Sequence, residues 1–194
     1  MKLFVTGSSG FVGSAATREL VARGHTVRAM SRSAGSDQLI RELGAEPVRC
    51  DLASISADHV GDAETVLHCA AFVSAWGPRD AWYKGNVLGT RAVLAAARSA
   101  GAKRFIHIGT EAAIVHGQDI FDADETWPLA PDSPYPYCAT KAQAEQLVRA
   151  ASTASDSRIR PSSRIFRWLA ARVAPVVVMS TIISAMPAAG APSV

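Results

Sequence analysis

Cysteine is scarce in this chain: Cys50, Cys69 and Cys138 are the only three among 194 residues, with no CxxC pair and an odd one over. A disulfide scaffold is therefore excluded, and a reduced, cytoplasmic setting with buried thiols is expected. The five histidines are scattered and form no cluster at metal-ligand spacing, so no metal is expected. No apolar stretch reaches the length of a membrane span. "VAPVVVMSTIISAM" is bracketed by Pro175 and Pro187, which leave eleven residues between them, where a helix needs about 20. "MKLFVTGSSG" meets glycine too soon for a signal peptide, so export is not expected. The main body also lacks surplus positive charge. Residues 1–150 hold 15 basic against 16 acidic side chains, and the net +3 arises from five arginines and one aspartate in residues 151–194. A basic patch for nucleic acid is not expected.

What is there is alternation. "KLFVTG" is a short apolar run ending in glycine and reads as a buried strand. "GFVGSAATRELVARG" has helical spacing, with Phe11, Ala15, Leu20 and Val21 expected on one side and a glycine stop at Gly24. "HTVRAMSR" is a second strand, and "SDQLIRELG" a second helix opening on a capping serine or aspartate. "EPVRCDL" and "AETVLHCAA" are the third and fourth strands. A single long helix is expected over about 79–100, followed by a fifth strand in "KRFIHIGT" and a helix opened by "YPYCATK". Strands alternating with helices predict right-handed crossovers and a doubly wound parallel sheet of the α/β class. At 194 residues one domain suffices. The stretch 111–133 has no strong period, and a loop of that length is usually functional.

Ligands in such sheets bind at the carboxyl ends of the strands. "TGSSGFVG" places Gly7, Gly10 and Gly13 between the first strand and the first helix. The first glycine permits a tight turn, the second lets backbone approach a pyrophosphate, and the third lets helix pack on strand. The helix N-terminus then offers N–H groups and a positive dipole end to the phosphates. At the end of the second strand an acidic residue would accept from the ribose hydroxyls and favour NAD. "MSRS" has Ser31 and Arg32 there instead, which suits a 2′-phosphate, so NADP(H) is favoured over NAD(H). Asp51, ending the third strand, is placed either to accept from an adenine amino group or to cap a helix in "CDLAS".

The stretch "DSPYPYCATK" holds two tyrosines and a lysine. Residues four apart share a helix face, and Tyr137 and Lys141 have that spacing, whereas four beyond Tyr135 is Ala139. A phenol titrates near pH 10 unless a neighbouring positive charge stabilises its anion, so Lys141 is expected to make Tyr137 a usable acid or base. Pro136 biases Tyr135 towards extended backbone and leaves Tyr137 free to enter the first turn. Thr110, at the end of the fifth strand, offers a second hydroxyl to a reacting oxygen. Glu111 and His116 are assigned nothing.

In the order "TGSSGFVG", "CDL", "HCAA", "NVLGT", "FIHIGT" and "YCATK", residues 1 to about 150 resemble the extended short-chain dehydrogenase/reductase superfamily. More closely they resemble its NAD(P)-dependent epimerase/dehydratase and 3β-hydroxysteroid-dehydrogenase-like members. The resemblance implies a Rossmann fold and a hydride-transfer enzyme acting on a small molecule, with a homodimer left open. It implies Tyr137 as acid/base, Lys141 as the lysine that lowers its pKa and holds the nicotinamide ribose, and Thr110 on the reacting oxygen. Asn86 matches the asparagine supporting the pocket from the central helix, and Ala70 and Ala71 line the cofactor channel. Phe11 and Val12 in the glycine turn, Leu52 beside Asp51, and Pro161 in "IRP" complete the implied cofactor contacts.

The chain departs from the resemblance after about residue 160. Residues 1–161 are read as the cofactor-binding domain with its Tyr–Lys pair, and 162–194 as an atypical tail, expected to be poorly ordered, standing where the family has its substrate portion. Of the 44 residues from 151 onward, 26 are Ala, Ser, Arg or Pro. Three readings stay open: a reductase or dehydrogenase of a carbonyl or alcohol, a nucleotide-sugar epimerase or dehydratase, and an inactive cofactor-binding remnant or redox-sensing regulator.

Overall fold

The structure is a computed structural model, and it describes residues 1–153 apart from 75 and 125, together with the strand at 182–185. Six strands form one sheet: β1 (Lys2–Thr6), β2 (Thr26–Ser31), β3 (Glu46–Arg49), β4 (Thr65–His68), β5 (Arg104–Ile108) and β6 (Ile182–Ala185). Their order is β3-β2-β1-β4-β5-β6. The first five run parallel, and β6 pairs antiparallel with β5, Phe105 opposite Ala185 and Ile108 opposite Ile182. A strand in that tail is not legible from its composition. Pro161 and the rest of residues 162–194 lie outside the described residues.

The strands are apolar without interruption because both faces are covered. Neighbouring residues on one strand point to opposite faces. Phe4, Val66 and Phe105 therefore join one core with Met30, Val60, Val93 and Val148. Val5, Leu67 and Ile106 join the other with Ala16, Val27, Ala29 and Ile40. Helices α1 (Phe11–Ala22) and α2 (Ala34–Glu42) cover the second face, while α3 (Ala57–Val60), α5 (Gly89–Ser99) and α6 (Pro136–Thr153) cover the first. Each fully buried Val, Ile or Phe contributes about 1.5–3 kcal/mol.

Two local expectations are corrected. In α1 the inward face is Gly13, Ala16 and Thr17, with Leu20 and Val21 packed at its edge, whereas Phe11 stays 66% exposed. The helix begins in van der Waals contact with its own glycine turn, so only small residues fit beneath it. Helix α2 starts two residues earlier than expected. Ser33 is its cap, accepting from the Ser36 backbone N–H at 3.2 Å. The long helix of 79–100 is present as one helical run, α4 (Arg79–Trp82), a π-helical stretch Tyr83–Leu88, and α5, with helical backbone at each junction. The loop after β5 also opens on a short 3-10 turn, Glu111–Ile114.

Chain direction reverses across β1 and β4: the chain leaves β1 towards β2 and β3, then returns to β4 and β5. That switch point leaves a crevice at the carboxyl ends of the strands.

Candidate active site

One end of the crevice is built from backbone. Gly7 ends β1 with φ +77°, and a Cβ there would sit 2.7 Å from the backbone N of Ala70. The Gly10 N–H donates to the Gly7 carbonyl at 2.9 Å. A Cβ on Gly13 would lie 2.0 Å from that carbonyl oxygen. Gly10 caps α1 with extended backbone, no side chain bonds to the cap, and the first turn carries no acidic residue. The leading N–H groups and dipole end thus face the crevice. Below the turn, buried Thr17 donates to Ser8 Oγ at 2.9 Å, while Val12 is half-buried and Phe11 exposed at the rim. A side chain at Gly7 or Gly13 would run into the backbone of Ala70 or of Gly7 itself, so the close approach of the turn to β4 and of α1 to the turn needs glycine at both.

Further along, Ser31 is buried and donates to the Ser33 carbonyl at 3.2 Å. Arg32 beside it is exposed. Arg49, by contrast, is taken up by an ion pair with Asp37, whereas the Arg32 charge acts on Asp51. Asp51 caps a turn rather than a helix. Its Oδ1 accepts from Ser54 Oγ at 2.7 Å, Ser54 N at 2.8 Å and Ala53 N at 3.0 Å. Those bonds, with the Arg32 charge behind them, hold its carboxyl below the usual range. Helix α3 has its own cap, Ser56, in a reciprocal arrangement with His59. Leu52 closes the third-strand loop over Gly89, where a Cβ would meet its Cδ1 at 2.8 Å.

The other end is built from side chains. Asn86 Oδ1 accepts from the Phe72 N–H at 2.7 Å, and its Nδ2 donates to the Phe72 carbonyl at 3.2 Å and to Thr140 Oγ1 at 3.1 Å. This one buried amide therefore ties the loop after β4, with Ala70 and Ala71 at its start, to α6. The π-helical stretch places it there. Thr140 in turn donates to the Pro136 carbonyl at 2.7 Å, and Pro136 opens α6. Tyr135 precedes the helix and is 50% exposed, whereas Tyr137 is half-buried inside the first turn.

Thr110 caps the 3-10 turn, accepting from Ala112 N at 3.3 Å and donating to Glu111 Oε2 at 3.1 Å. Its hydroxyl also reaches the Tyr137 phenol. Burial pushes that phenol above its ordinary value, against the Thr110 hydrogen bond, and the Glu111 charge pushes the same way. Lys141 is not the phenol's partner here. It is 4% exposed, and its Nζ donates to the Ile108 carbonyl at 2.9 Å. The spacing of four puts both residues on one face, but the buried ammonium turns down to the orphan carbonyl at the end of β5. Burial pulls Lys141 down to about 8, with the Glu145 charge the main opposing influence and Cys69 a lesser one.

Beneath these groups lies a polar chain that sequence spacing did not reveal. His68 Nδ1 sits 2.7 Å from Thr6 Oγ1, and its Nε2 lies 3.0 Å from Thr90 Oγ1. Thr6 Oγ1 also accepts from Ala70 N at 3.2 Å, so one hydroxyl joins the imidazole to the loop after β4. Burial, then the Lys141 charge, lower His68 to about 3. His107 stacks obliquely beside it, with ring centroids 5.4 Å apart. The thiols are inert: burial pushes Cys69 up to about 12 and Cys50 to about 11. Glu145 was also overlooked, although Tyr137, Lys141, Glu145 and Arg149 recur every four residues. Among the described residues, no group of three or more His, Cys, Asp or Glu is gathered to hold a metal. None of the described helices is long and apolar enough to cross a membrane.

The arrangement matches known proteins. Residues 3–187 match the model of the NAD dependent epimerase/dehydratase family. Over 151 residues the chain is 44% identical to the 4-hydroxy-2-methyl-3-oxo-4-farnesyl-3,4-dihydroquinoline-1-oxide ketoreductase of Stigmatella aurantiaca, covering 76% of this chain and 45% of that protein. Over 160 residues it is 40% identical to the 2-alkyl-3-oxoalkanoate reductase of Stenotrophomonas maltophilia, covering 80% and 48%. A solved short-chain dehydrogenase/reductase superfamily protein from Agrobacterium tumefaciens, with bound NAD, superposes with a TM-score of 0.66. It is 34% identical, with 78% of this chain and 45% of that one covered. The chain spans about half the length of the curated relatives it matches.

Proposed function

The chain belongs to the NAD dependent epimerase/dehydratase family, and from that premise we propose that it is the cofactor and catalytic half of a carbonyl reductase using NADP(H) in preference to NAD(H). The observation that carries this reading is the convergence of Thr110, Tyr137 and Lys141 on the crevice edge that also holds the glycine cradle. Exposed Arg32 suits a 2′-phosphate, and Asp51 keeps one carboxylate oxygen for the adenine.

A bound nicotinamide supplies the hydride. The chain's own residues handle the oxygen. Thr110 donates a hydrogen bond to the carbonyl oxygen, and Tyr137 delivers the proton that the product alcohol needs. A phenol raised above its ordinary value is protonated at neutral pH, which is the form that reduction consumes. Lys141 holds the ribose hydroxyls beside it, Asn86 fixes the pocket wall, and Ala70 and Ala71 floor the channel. Pro161, outside the described residues, is proposed to contact the nicotinamide.

The substrate is proposed to be a ketone with a long apolar portion. Val73 at 72%, Trp76 at 88% and Phe121 at 76% exposure lie on the loops after β4 and β5, and Arg79 links those loops by donating to the Pro134 carbonyl at 3.0 Å. The two reductases above are named for ketones bearing farnesyl or alkyl groups. A cytoplasmic location and a homodimer belong to the same proposal. Calorimetry with NADPH and NADH, followed by NADPH oxidation assayed with 2-alkyl-3-oxoalkanoates and by chromatography of UDP-sugars incubated with NAD for epimerised product, tests it. Tighter NADH binding with turnover of UDP-sugars alone would replace reductase by epimerase. Cofactor binding without any turnover would make the chain a remnant.

A further inference from the structure

Lys141 is a cation with almost no exposure, and burial of a charge is costly unless something opposes it. The Ile108 carbonyl satisfies one N–H of its ammonium but brings no negative charge. Around Lys141 the described titratable groups are Tyr137 and Glu145 on its own helix, Cys69 and His68 at the end of β4, and His107 on β5. Burial holds the two histidines neutral and the thiol protonated, and the phenol is neutral as well. Only Glu145 is left to carry a counter-charge.

Its placement suits that task. Glu145 stands one helical turn beyond Lys141 on the same face, with its side chain 1% exposed. One turn further, Arg149 donates to Glu145 Oε1 through both Nη2 at 2.7 Å and Nε at 3.1 Å. A buried carboxylate would otherwise take up a proton, and burial does push Glu145 upward against the Arg149 bonds. Arg149 itself is 38% exposed, so the chain of charges begins in solvent and ends at the reactive lysine.

We propose that Glu145 is a positioning residue, an internal counter-ion that keeps Lys141 cationic beside Tyr137 and is itself kept ionised by Arg149. The description of Lys141 as the ribose-holding residue rests on the reductase reading, but the charge coupling does not. The chain has four lysines, and Lys2, Lys84 and Lys103 are exposed. Carbon-13 labelling at lysine Cε therefore yields four NMR signals, of which Lys141 is the one missing from Lys141→Met.

In the parent, the Lys141 signal should titrate near 8. Glu145→Gln and Glu145→Met should each lower that midpoint by about one pH unit or more, as loss of a nearby opposite charge does. Glu145→Asp should restore most of it. A Lys141 midpoint unmoved in either folded neutral variant overturns the proposal. NADPH affinity measured on the same samples keeps the two readings apart. If the midpoint moves while the parent binds neither NADPH nor NADH, the dinucleotide reading fails and the Glu145 assignment stands. If the parent binds NADPH and the midpoint stays, the reverse holds.

Discussion

The two ends of the crevice are made of different materials. At the glycine turn every decisive atom is backbone: a left-handed Gly7, a Gly13 whose missing Cβ leaves room for a carbonyl, and uncapped N–H groups. At the Tyr137 end the decisive groups are side chains, Thr110, Asn86, Thr140 and Lys141, each pinned to backbone of another segment or turn. The first end works by leaving space and the second by filling it. An end defined by steric exclusion tolerates no substitution at its key positions. One defined by partners can be dissected group by group.

The hardest blow to the backbone end is Gly13→Val. A Cβ 2.0 Å from the Gly7 oxygen forces the turn and α1 apart, and NADPH binding by calorimetry should vanish. A variant that bound like the parent would end the cradle reading.

At the side-chain end, Tyr137→Phe should leave cofactor affinity nearly intact while turnover falls about 10²–10⁴-fold, the usual worth of a general acid. Steady-state rates at saturating NADPH decide this.

Acid attacks the packing under the same end. His68 titrates near 6.5 when unfolded and about 3 when folded, so its depressed folded value favours the native state fully above 6.5. Stability is lost as pH falls from there towards 3, because the unfolded chain takes up a proton that the native one refuses. That amounts to roughly 2 kcal/mol by about pH 5. Urea midpoints should drop accordingly at constant slope, and His68→Gln should flatten the trend.

Arg32→Asp should cost NADPH about tenfold or more in affinity, some 1.4 kcal/mol, and NADH little. An unchanged preference would mean that Arg32 serves only the solvent. Smallest of all, Tyr135→Phe removes a hydroxyl from a half-exposed residue ahead of the helix, and turnover should change by less than about twofold. A loss matching that of Tyr137→Phe would reassign the acid.

The same contrast explains what could be read from sequence. Gly7, Gly10 and Gly13 were legible because backbone exclusion leaves its mark at fixed spacing, and the parallel strands because full burial demands unbroken apolar runs. The entry of Tyr137 into the helix, with Tyr135 ahead of it, was legible because Pro136 acts locally on its neighbour. Phe11 was misjudged because a hydrophobic weight says nothing of how close a helix lies to its own turn. The π-helical register at 83–88 places Asn86 against Phe72 and Thr140, 14 and 54 residues away, and no window of sequence holds both. The downward turn of Lys141 was hidden for the same reason, since Ile108 lies 33 residues back.

The π-helical stretch has an evolutionary consequence. A helix advances about 100° per residue, so deleting one residue between Tyr83 and Leu88 would not merely tidy the turn. It would swing Thr90, Val93, Ala96 and Ala97, all buried on α5, away from the sheet, or else carry Asn86 off its two partners. A lineage that gained this surplus residue cannot shed it in one step without losing either the asparagine bridge or the packing of α5. The irregularity should therefore persist as a ratchet, outlasting changes in the loops on either side.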